Sequence, residues 1–203
     1  MQSGSEKMSV TNLADRQCRE EHDILHNVVK ILHLQEDLQS KLESVLTAMT
    51  RFSELQEEFK AGIFLADEKQ KVLRLFCTVG ELNEKFLARE SEIPYGHCLC
   101  GMAAECGQMV FSDSCGEDGR FDPKNRTRAA RGAYVVPLKH RERVVGVMFL
   151  YTDEFPSVQG RNRELISSIG GLIGDAIASH QRDEELLAKD FELFELQQLN
   201  STN

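Results

Sequence analysis

The fold of this chain depends on residues 93–107, which read IPYGHCLCGMAAECG. Gly96 and His97 precede a run of mostly small and apolar residues, 98–106, which is typical of a short bounded helix. Gly107 follows the small and apolar residues, and glycine commonly ends a helix by adopting the left-handed conformation. The stretch therefore predicts a short helix that ends at Gly107.

Strand-like segments lie on both sides of this helix. Residues 63–66 and 72–77 read as strand, turn and strand, and residues 109–111 read as a short strand. Residues 134–138 and 144–151 form the clearest hairpin, and the apolar second half is typical of a central strand. We therefore predict one antiparallel sheet with the short helix packed on it.

A heptad stripe of eleven positions precedes the sheet, and nine of them are apolar. They are Ile24, Val28, Ile31, Gln35, Leu38, Leu42, Val45, Met49, Phe52, Gln56 and Phe59. The 3.5-residue period predicts one helix from about Glu20 to Lys60 that pairs with another helix, so we expect a homodimer. The alternative is that the stripe covers the chain's own domain.

A second long helix is predicted after the sheet, over residues 161–199. Its apolar face continues to the far end of the helix, at Leu187, Phe191 and Phe194. Three glycines leave room for another helix to approach closely: Gly170, Gly171 and Gly174. We expect both long helices to take part in the homodimer and to transmit a change of state to an output partner.

Composition limits the classes of function. The chain has 203 residues, 41% hydrophobic and 28% charged, with a net charge of -9. This acidic balance repels polyphosphate, so we expect no nucleic-acid binding. No apolar run is long enough for a membrane span, and the first residues lack a secretory signal pattern. We expect a cytoplasmic protein with reduced thiols.

Cysteines give the strongest chemical signal, since four of the six fall between residues 98 and 115. Cys98 and Cys100 lie at a predicted helix N-terminus, where the helix dipole and His97 would favour a thiolate. Redox sensing, burial as small packing residues, and soft-metal ligation all remain open for this pair. The metal alternative would use His97, Cys98, Cys100 and Cys115. Cys77 and Cys106 are expected in the core.

A long polar loop covers residues 114–131 and carries five basic residues in an otherwise acidic chain. Loops of this length in compact domains are usually functional or mobile. The basic residues suit an anionic ligand, such as a carboxylate or oxyanion, if the loop covers a pocket. The alternative is a solvated surface loop.

The order of these motifs resembles the GAF domain family of small-molecule sensors, over roughly residues 45 to 180. The most specific segments are residues 93–104, 110–113, 134–138 and 143–150. They look like a cysteine-bearing subgroup found in bacterial sensor proteins beside kinase, cyclase or phosphodiesterase modules. That subgroup commonly has a His and a Cys where this chain has Ala133 and Val135.

The resemblance implies an α+β fold, with a sheet of about five to six strands flanked by helices. It also implies a pocket between the sheet and the short helix, with ligand-binding or redox residues Tyr95, His97, Cys98, Cys100, Asp113, Cys115, Arg131 and Tyr134. We divide the chain into a flexible N-terminus (1–19), the first helix (20–60), the sheet and pocket (61–158) and a signalling helix (159–203).

We therefore expect a sensory module without enzymatic activity, which binds a small ligand or senses redox state through Cys98 and Cys100. No particular cofactor is indicated. One competing hypothesis is a free methionine-R-sulfoxide reductase, a branch that the same glycine, cysteine and alanine motif resembles. That branch has a Cys in the loop before the Val-Pro strand, whereas residues 118–133 contain none. A dimerisation scaffold without a ligand is the third hypothesis.

Overall fold

The computed structural model describes residues 19–49, 60–82, 84–112, 117–120, 132–152 and 160–201. A six-stranded antiparallel sheet forms the centre of this part, with the strand order β3-β2-β1-β6-β5-β4. The strands are β1 Lys60–Asp67, β2 Val72–Val79, β3 Glu92–Pro94, β4 Val110–Ser112, β5 Gly132–His140 and β6 Arg143–Thr152. The predicted sheet, its strand count and the central position of the second hairpin strand are confirmed. The short edge strand β3 was not predicted.

The described residues form five helical segments. They are α1 (19–32), α2 Leu38–Met49, α3 Glu84–Arg89, α4 Cys98–Cys106 and α5 Gly160–Ser201. The prediction for α4 is confirmed, since Gly107 has a φ of 63° and its N–H donates to the carbonyl oxygen of Ala103. The long C-terminal helix is also confirmed.

The two faces of the sheet carry different helices because successive side chains of a strand point to opposite sides. On one face α1, α2 and α5 pack against β5 residues such as Tyr134 and Val136. On the other face α4 packs through Leu99 and Ala103 against a set that includes Val135 of β5. The sheet therefore separates α4 from α5.

The prediction of one continuous N-terminal helix is wrong, because residues 33–37 interrupt it. Asp37 accepts a 2.9 Å hydrogen bond from the backbone N–H of Ser40 and a 2.7 Å bond from its hydroxyl, which caps the start of α2. The heptad period passes through this break because Gln35 is exposed and needs no core partner. Phe52, Gln56 and Phe59 lie outside the described residues.

Among the described residues, most apolar positions of the stripe are buried inside the chain itself. Leu42, Val45 and Met49 of α2 are fully buried in the same cluster as Ile166 and Ile169 of α5. This corresponds to the alternative in which the stripe covers its own domain. The described part of the stripe consequently gives no argument for a homodimer.

Gly170 and Gly174 of α5 lie close to the sheet. The sequence had predicted that the glycines of this helix would allow another helix to approach. A Cβ atom on Gly174 would lie 2.2 Å from the backbone oxygen of Lys139, and one on Gly170 would lie 2.8 Å from a Val136 methyl group. A Cβ atom on Gly171 would meet nothing within 4 Å. Small residues at 170 and 174 therefore let α5 lie directly on β5.

Polar contacts join the β5–β6 hairpin to α5 near the point where the helix leaves the sheet. The Nδ1 atom of His140 lies 2.6 Å from a carboxylate oxygen of Asp175, and its Nε2 atom lies 3.1 Å from the Arg182 guanidinium. The Arg143 guanidinium donates to the side-chain oxygen of Gln181 at 3.3 Å. Residues 183–198, beyond this anchor, are all exposed.

Candidate functional site

The turn between β3 and α4 is tightly packed on the helix that follows it. Gly96 has a φ of 75°, and its N–H donates to the carbonyl oxygen of Gly101 at 2.9 Å. A Cβ atom on Gly101 would lie 2.3 Å from the carbonyl oxygen of Pro94. The IPYG…G pattern is therefore a steric requirement for placing the two cysteines at the start of α4.

Cys98 occupies an unusual backbone conformation at this turn, with a φ of 51° in the left-handed region. A hydrogen bond from the Cys100 thiol is the main cause that lowers the pKa of Cys98, to about 6. The backbone N–H groups of Gly101 and Cys100 and the charge of His97 lower this pKa further, against the opposing effect of burial. At neutral pH Cys98 is thus mainly a thiolate, and it accepts hydrogen bonds from the backbone N–H groups of Cys100 and Gly101 in the first turn of α4. The Gly101 N–H also donates to the carbonyl oxygen of His97 at 3.0 Å.

Cys100 has the complementary character. Its hydrogen bond to Cys98 is the main cause that raises the pKa of Cys100 well above its ordinary value, followed by burial and by the negative charges of Cys98 and Glu90. The proton shared by the pair therefore stays on Cys100. The two side chains form a thiolate and thiol in direct contact, and both cysteines are free of disulfide bonds.

His97 and Tyr95 complete the predicted cluster on this side of the sheet. His97 is exposed and immediately precedes α4, where its side chain makes no capping hydrogen bond. The Tyr95 ring lies 5.4 Å from the Lys71 ammonium, and its hydroxyl oxygen is buried without a hydrogen-bond partner among the described residues. Burial is the main cause that raises the pKa of Tyr95.

A groove of about 640 Å³ opens beside Tyr95, between the C-terminal end of α4 and the β5–β6 turn. Three acidic and three basic residues line it: Glu68, Glu105, Glu142, Lys71, Lys139 and Arg143. Arg143 and Glu68 are 3.6 Å apart, so part of this charge is internally compensated. Cys106 also lines the groove and is exposed, which makes its predicted place in the core wrong, whereas Cys77 is buried as predicted.

Tyr134 lies away from the cluster. It is fully buried on the α5 face of the sheet, because the alternation of β5 directs Val135 and not Tyr134 towards α4. We therefore remove Tyr134 from the candidate site. Three further predicted residues lie outside the described part of the chain: Asp113, Cys115 and Arg131.

The metal alternative gains no support from the described residues. Among them no three His, Cys, Asp or Glu side chains come together in a way that could hold a metal ion. His97, Cys98 and Cys100 are consecutive or nearly so in the sequence, but His97 is exposed and Cys98 is directed to its backbone and thiol partners. The thiolate and thiol pair is the chemical feature of this site.

An ion pair that was not predicted from the sequence lies in the described residues 117–120 of the basic stretch. Asp118 accepts hydrogen bonds from the Arg120 guanidinium, the shortest at 2.6 Å, and this contact is the main cause that holds the pKa of Asp118 well below its usual range. Arg120 also donates to the carbonyl oxygen of Phe111 at 3.0 Å. The two-residue spacing of opposite charges was the available signal. Arg120 thus joins the described residues 117–120 to β4.

Comparison with known protein families identifies the domain. A family model described as GAF domain matches residues 35–178. A search of curated proteins found no match. Among the described residues, no helix is long and apolar enough to cross a membrane.

Solved structures share the fold at low sequence identity. The GAF domain of a phosphoenolpyruvate-protein phosphotransferase from Coxiella burnetii is 15% identical, covers 82% of this chain and 98% of its own, and has a TM-score of 0.70. Free methionine-R-sulfoxide reductase from Neisseria meningitidis, solved with its substrate, is 16% identical, covers 80% and 91%, and has a TM-score of 0.65. The A. aeolicus nlh2 GAF domain is 18% identical, covers 79% and 97%, and has a TM-score of 0.64. Identities this low support the fold alone.

Proposed function

From the premise that this chain belongs to the GAF domain family, we propose that it is a sensory module that detects peroxide-type oxidants through Cys98 and Cys100 and relays the change to α5. The observation that carries this proposal is the contact between a Cys98 thiolate and a Cys100 thiol at the start of α4. With a pKa of about 6, Cys98 is about nine-tenths ionised at pH 7. The thiolate is the reactive form of cysteine towards oxidants.

The proposed chemistry needs only the two thiols and a hydroperoxide. The Cys98 thiolate attacks a peroxide oxygen, the O–O bond breaks, and the leaving oxygen takes up a proton, which leaves a sulfenic acid on Cys98. The Cys100 sulfur then attacks Cys98, a disulfide bond forms, the S–O bond breaks and water leaves. Two thiols lose two electrons in total, and the peroxide gains them.

Oxidation would change the start of α4 directly. The Cys98 thiolate accepts hydrogen bonds from the N–H groups of Cys100 and Gly101, and a disulfide sulfur carries no charge to do so. Loss of a hydrogen bond to a charged group typically costs about 1.5–3 kcal/mol. That cost falls within the 1–3 kcal/mol range of coupling energies that shift a two-state equilibrium, on the order of a tenfold change in populations.

A packed route leads from α4 to α5. Leu99 and Ala103 of α4 pack in the same cluster as Val135 of β5, and the opposite side of β5 touches α5 at Gly170 and Gly174. Close-packed elements transmit small displacements because the interior has few voids. The sheet strand β5 is therefore the element through which the two helices influence one another.

The test is peroxide titration of the full chain, followed by mass spectrometry of the cysteine-containing peptides. We expect loss of two hydrogen atoms from the peptide carrying Cys98 and Cys100, reversed by a dithiol reductant. Cys98→Ser and Cys100→Ser should each abolish this product. Cys106→Ser is the matched control, since Cys106 lies on the same helix but is exposed at its other end. Oxidation of Cys106 in preference to Cys98 would contradict the proposal.

The reductase hypothesis is tested with the same protein. Its support is the shared fold with the Neisseria enzyme together with the presence of two adjacent thiols. Turnover of free methionine-R-sulfoxide with a dithiol reductant, lost in Cys100→Ser, would identify an enzyme in place of a sensor. Stoichiometric oxidation by peroxide without such turnover would support the sensor.

A further inference from the structure

The outer half of α5 presents an apolar stripe that the described part of the chain leaves uncovered. We define this stripe as Leu187, Phe191 and Phe194, which follow one another at steps of four and three residues and therefore share one helix face. Their exposed fractions are 70%, 64% and 58%. Removal of such large apolar side chains from water is favourable, so the stripe is suited to contact with another molecule.

The flanks of the stripe are acidic on both sides. On one side of the stripe, Asp183 lies four residues before Leu187 and Asp190 lies four residues before Phe194. On the other side, Glu195 lies four residues after Phe191. Glu184 shares the second flank and is 3.3 Å from His180. Residues 182–198 contain six acidic and two basic residues in all.

The two basic residues lie away from the stripe. Arg182 and Lys189 are not three or four residues from any stripe member, so they project from the other side of the helix. In a pair of identical parallel helices, each acidic flank would face an acidic flank of the second copy. Like charges across such a seam disfavour pairing, which makes a second copy a poor occupant.

We propose that the outer half of α5 is a docking surface for a basic amphipathic helix of another protein. The partner would place apolar side chains on Leu187, Phe191 and Phe194 and Lys or Arg side chains opposite the acidic flanks. Asp183 and Asp190 are seven residues apart, about 10.5 Å along the helix, so matching basic residues recur at heptad spacing in the partner. This inference does not depend on the thiol chemistry at Cys98.

The experiment uses the full chain under reducing conditions and a fluorescent 21-residue probe helix with leucine at heptad positions a and d and lysine at e and g. A matched probe has glutamate in place of lysine. Fluorescence anisotropy should show at least about tenfold tighter binding of the lysine probe, weakened by added salt. Equal binding of the two probes, or binding of neither, would overturn the proposal.

Variants locate the binding on α5. Phe191→Ser should weaken binding of the lysine probe about tenfold or more, because it removes a central apolar contact. Leu193→Ser is the matched control on the opposite side of the helix, 57% exposed, and should leave binding unchanged. Equal losses in both variants would overturn the assignment of the stripe.

Charge reversal separates recognition from a general loss of structure. Asp190→Lys combined with Glu195→Lys should transfer the preference from the lysine probe to the glutamate probe. Sedimentation of the chain alone tests the competing occupant. Self-association that Phe191→Ser abolishes would show that a second copy covers the stripe, and it would overturn the proposal.

Discussion

At the scale of single residues, the ionisation of Cys98 depends on one neighbour more than on any other. The hydrogen bond from Cys100 is the largest cause that lowers the pKa of Cys98 to about 6. In wild-type protein the alkylation rate of Cys98 should therefore be half-maximal near pH 6. Cys100→Ala should move this midpoint towards the ordinary value of 9.0, measured by peptide mass spectrometry after timed alkylation.

Cys106→Ser controls for a general effect of removing a thiol and should leave the midpoint unchanged. A Cys100→Ala midpoint that stays near pH 6 would mean that the backbone N–H groups alone stabilise the thiolate.

The lowered pKa of Cys98 also makes the free energy of unfolding depend on pH. Because folding lowers the pKa of Cys98, the thiolate adds to the free energy of unfolding. This stabilisation is fully present above about pH 9 and is lost as the pH falls through about 6.

Some residues of the candidate site could be placed from the sequence and others could not, and the reasons are physical. Cys98 and Cys100 are recognisable because cysteines at a helix N-terminus favour a thiolate whatever the remaining fold. Tyr134 was misplaced because strand alternation separates neighbours onto two faces without revealing which face carries α4. The left-handed conformation of Cys98 has no sequence signal, since a non-glycine residue adopts it only under tertiary constraint.

At the scale of elements, the contact between α5 and β5 depends on Gly170 and Gly174, which face β5, whereas Gly171 faces open space. Gly174→Ala should destabilise the protein by about 1–3 kcal/mol, because the new Cβ atom would overlap the Lys139 backbone. Gly171→Ala should be neutral or stabilising by up to about 1 kcal/mol, since a Cβ atom there meets nothing and alanine favours helix. Urea unfolding of both variants measures the difference.

A second prediction at this scale concerns α2. Leu42→Ala should reduce the free energy of unfolding by about 2–5 kcal/mol, because Leu42 is fully buried within the chain. Gln35→Ala, at an exposed position of the same stripe, should have little effect. If Leu42→Ala changed the molecular mass in light scattering but not the urea midpoint, Leu42 would belong to an intermolecular seam and not to the core.

The elements themselves were largely predictable from local patterns. Alternation and turn residues indicated β1, β2, β5 and β6, and Gly107 indicated the end of α4, because these signals act over a few residues. The break at residues 33–37 was missed because the heptad stripe passes through it with an exposed Gln35. The sequence left open whether the stripe packs inside the chain or against a second copy, because periodicity shows that a face is buried but not by which chain.

At the scale of the whole molecule, the inner half of α5 is packed on the core and the outer half is exposed to solvent. Leu165, Ile166, Ile169, Ile173 and Ile177 are buried against the sheet and α2, whereas residues 182–198 are exposed. Helix without tertiary packing is marginally stable in water. Amide hydrogen exchange should therefore be slow for residues 165–178 and at least about tenfold faster for residues 185–198.

The lysine probe helix should slow exchange in the outer half of α5 and leave the inner half unchanged. Phe191→Ser should remove that protection. Uniformly slow exchange along all of α5 without the probe would contradict the division of the helix into a packed half and an uncovered half.

The hydrogen bonds of His140 and Arg143 with α5 fix the helix at the end of the β5–β6 hairpin, which would be the pivot point, or fulcrum, if the helix tilted. The helix extends about 35 Å from Ala178 to Ser201, so a tilt of about 10° at the fulcrum would sweep its tip through about 6 Å. A movement too small to disturb the packing of the sheet would thus be magnified at the far end. In the proposed relay, a partner helix bound to the outer half of α5 would keep that half helical and let it act as a lever arm whose inner end is packed on β5.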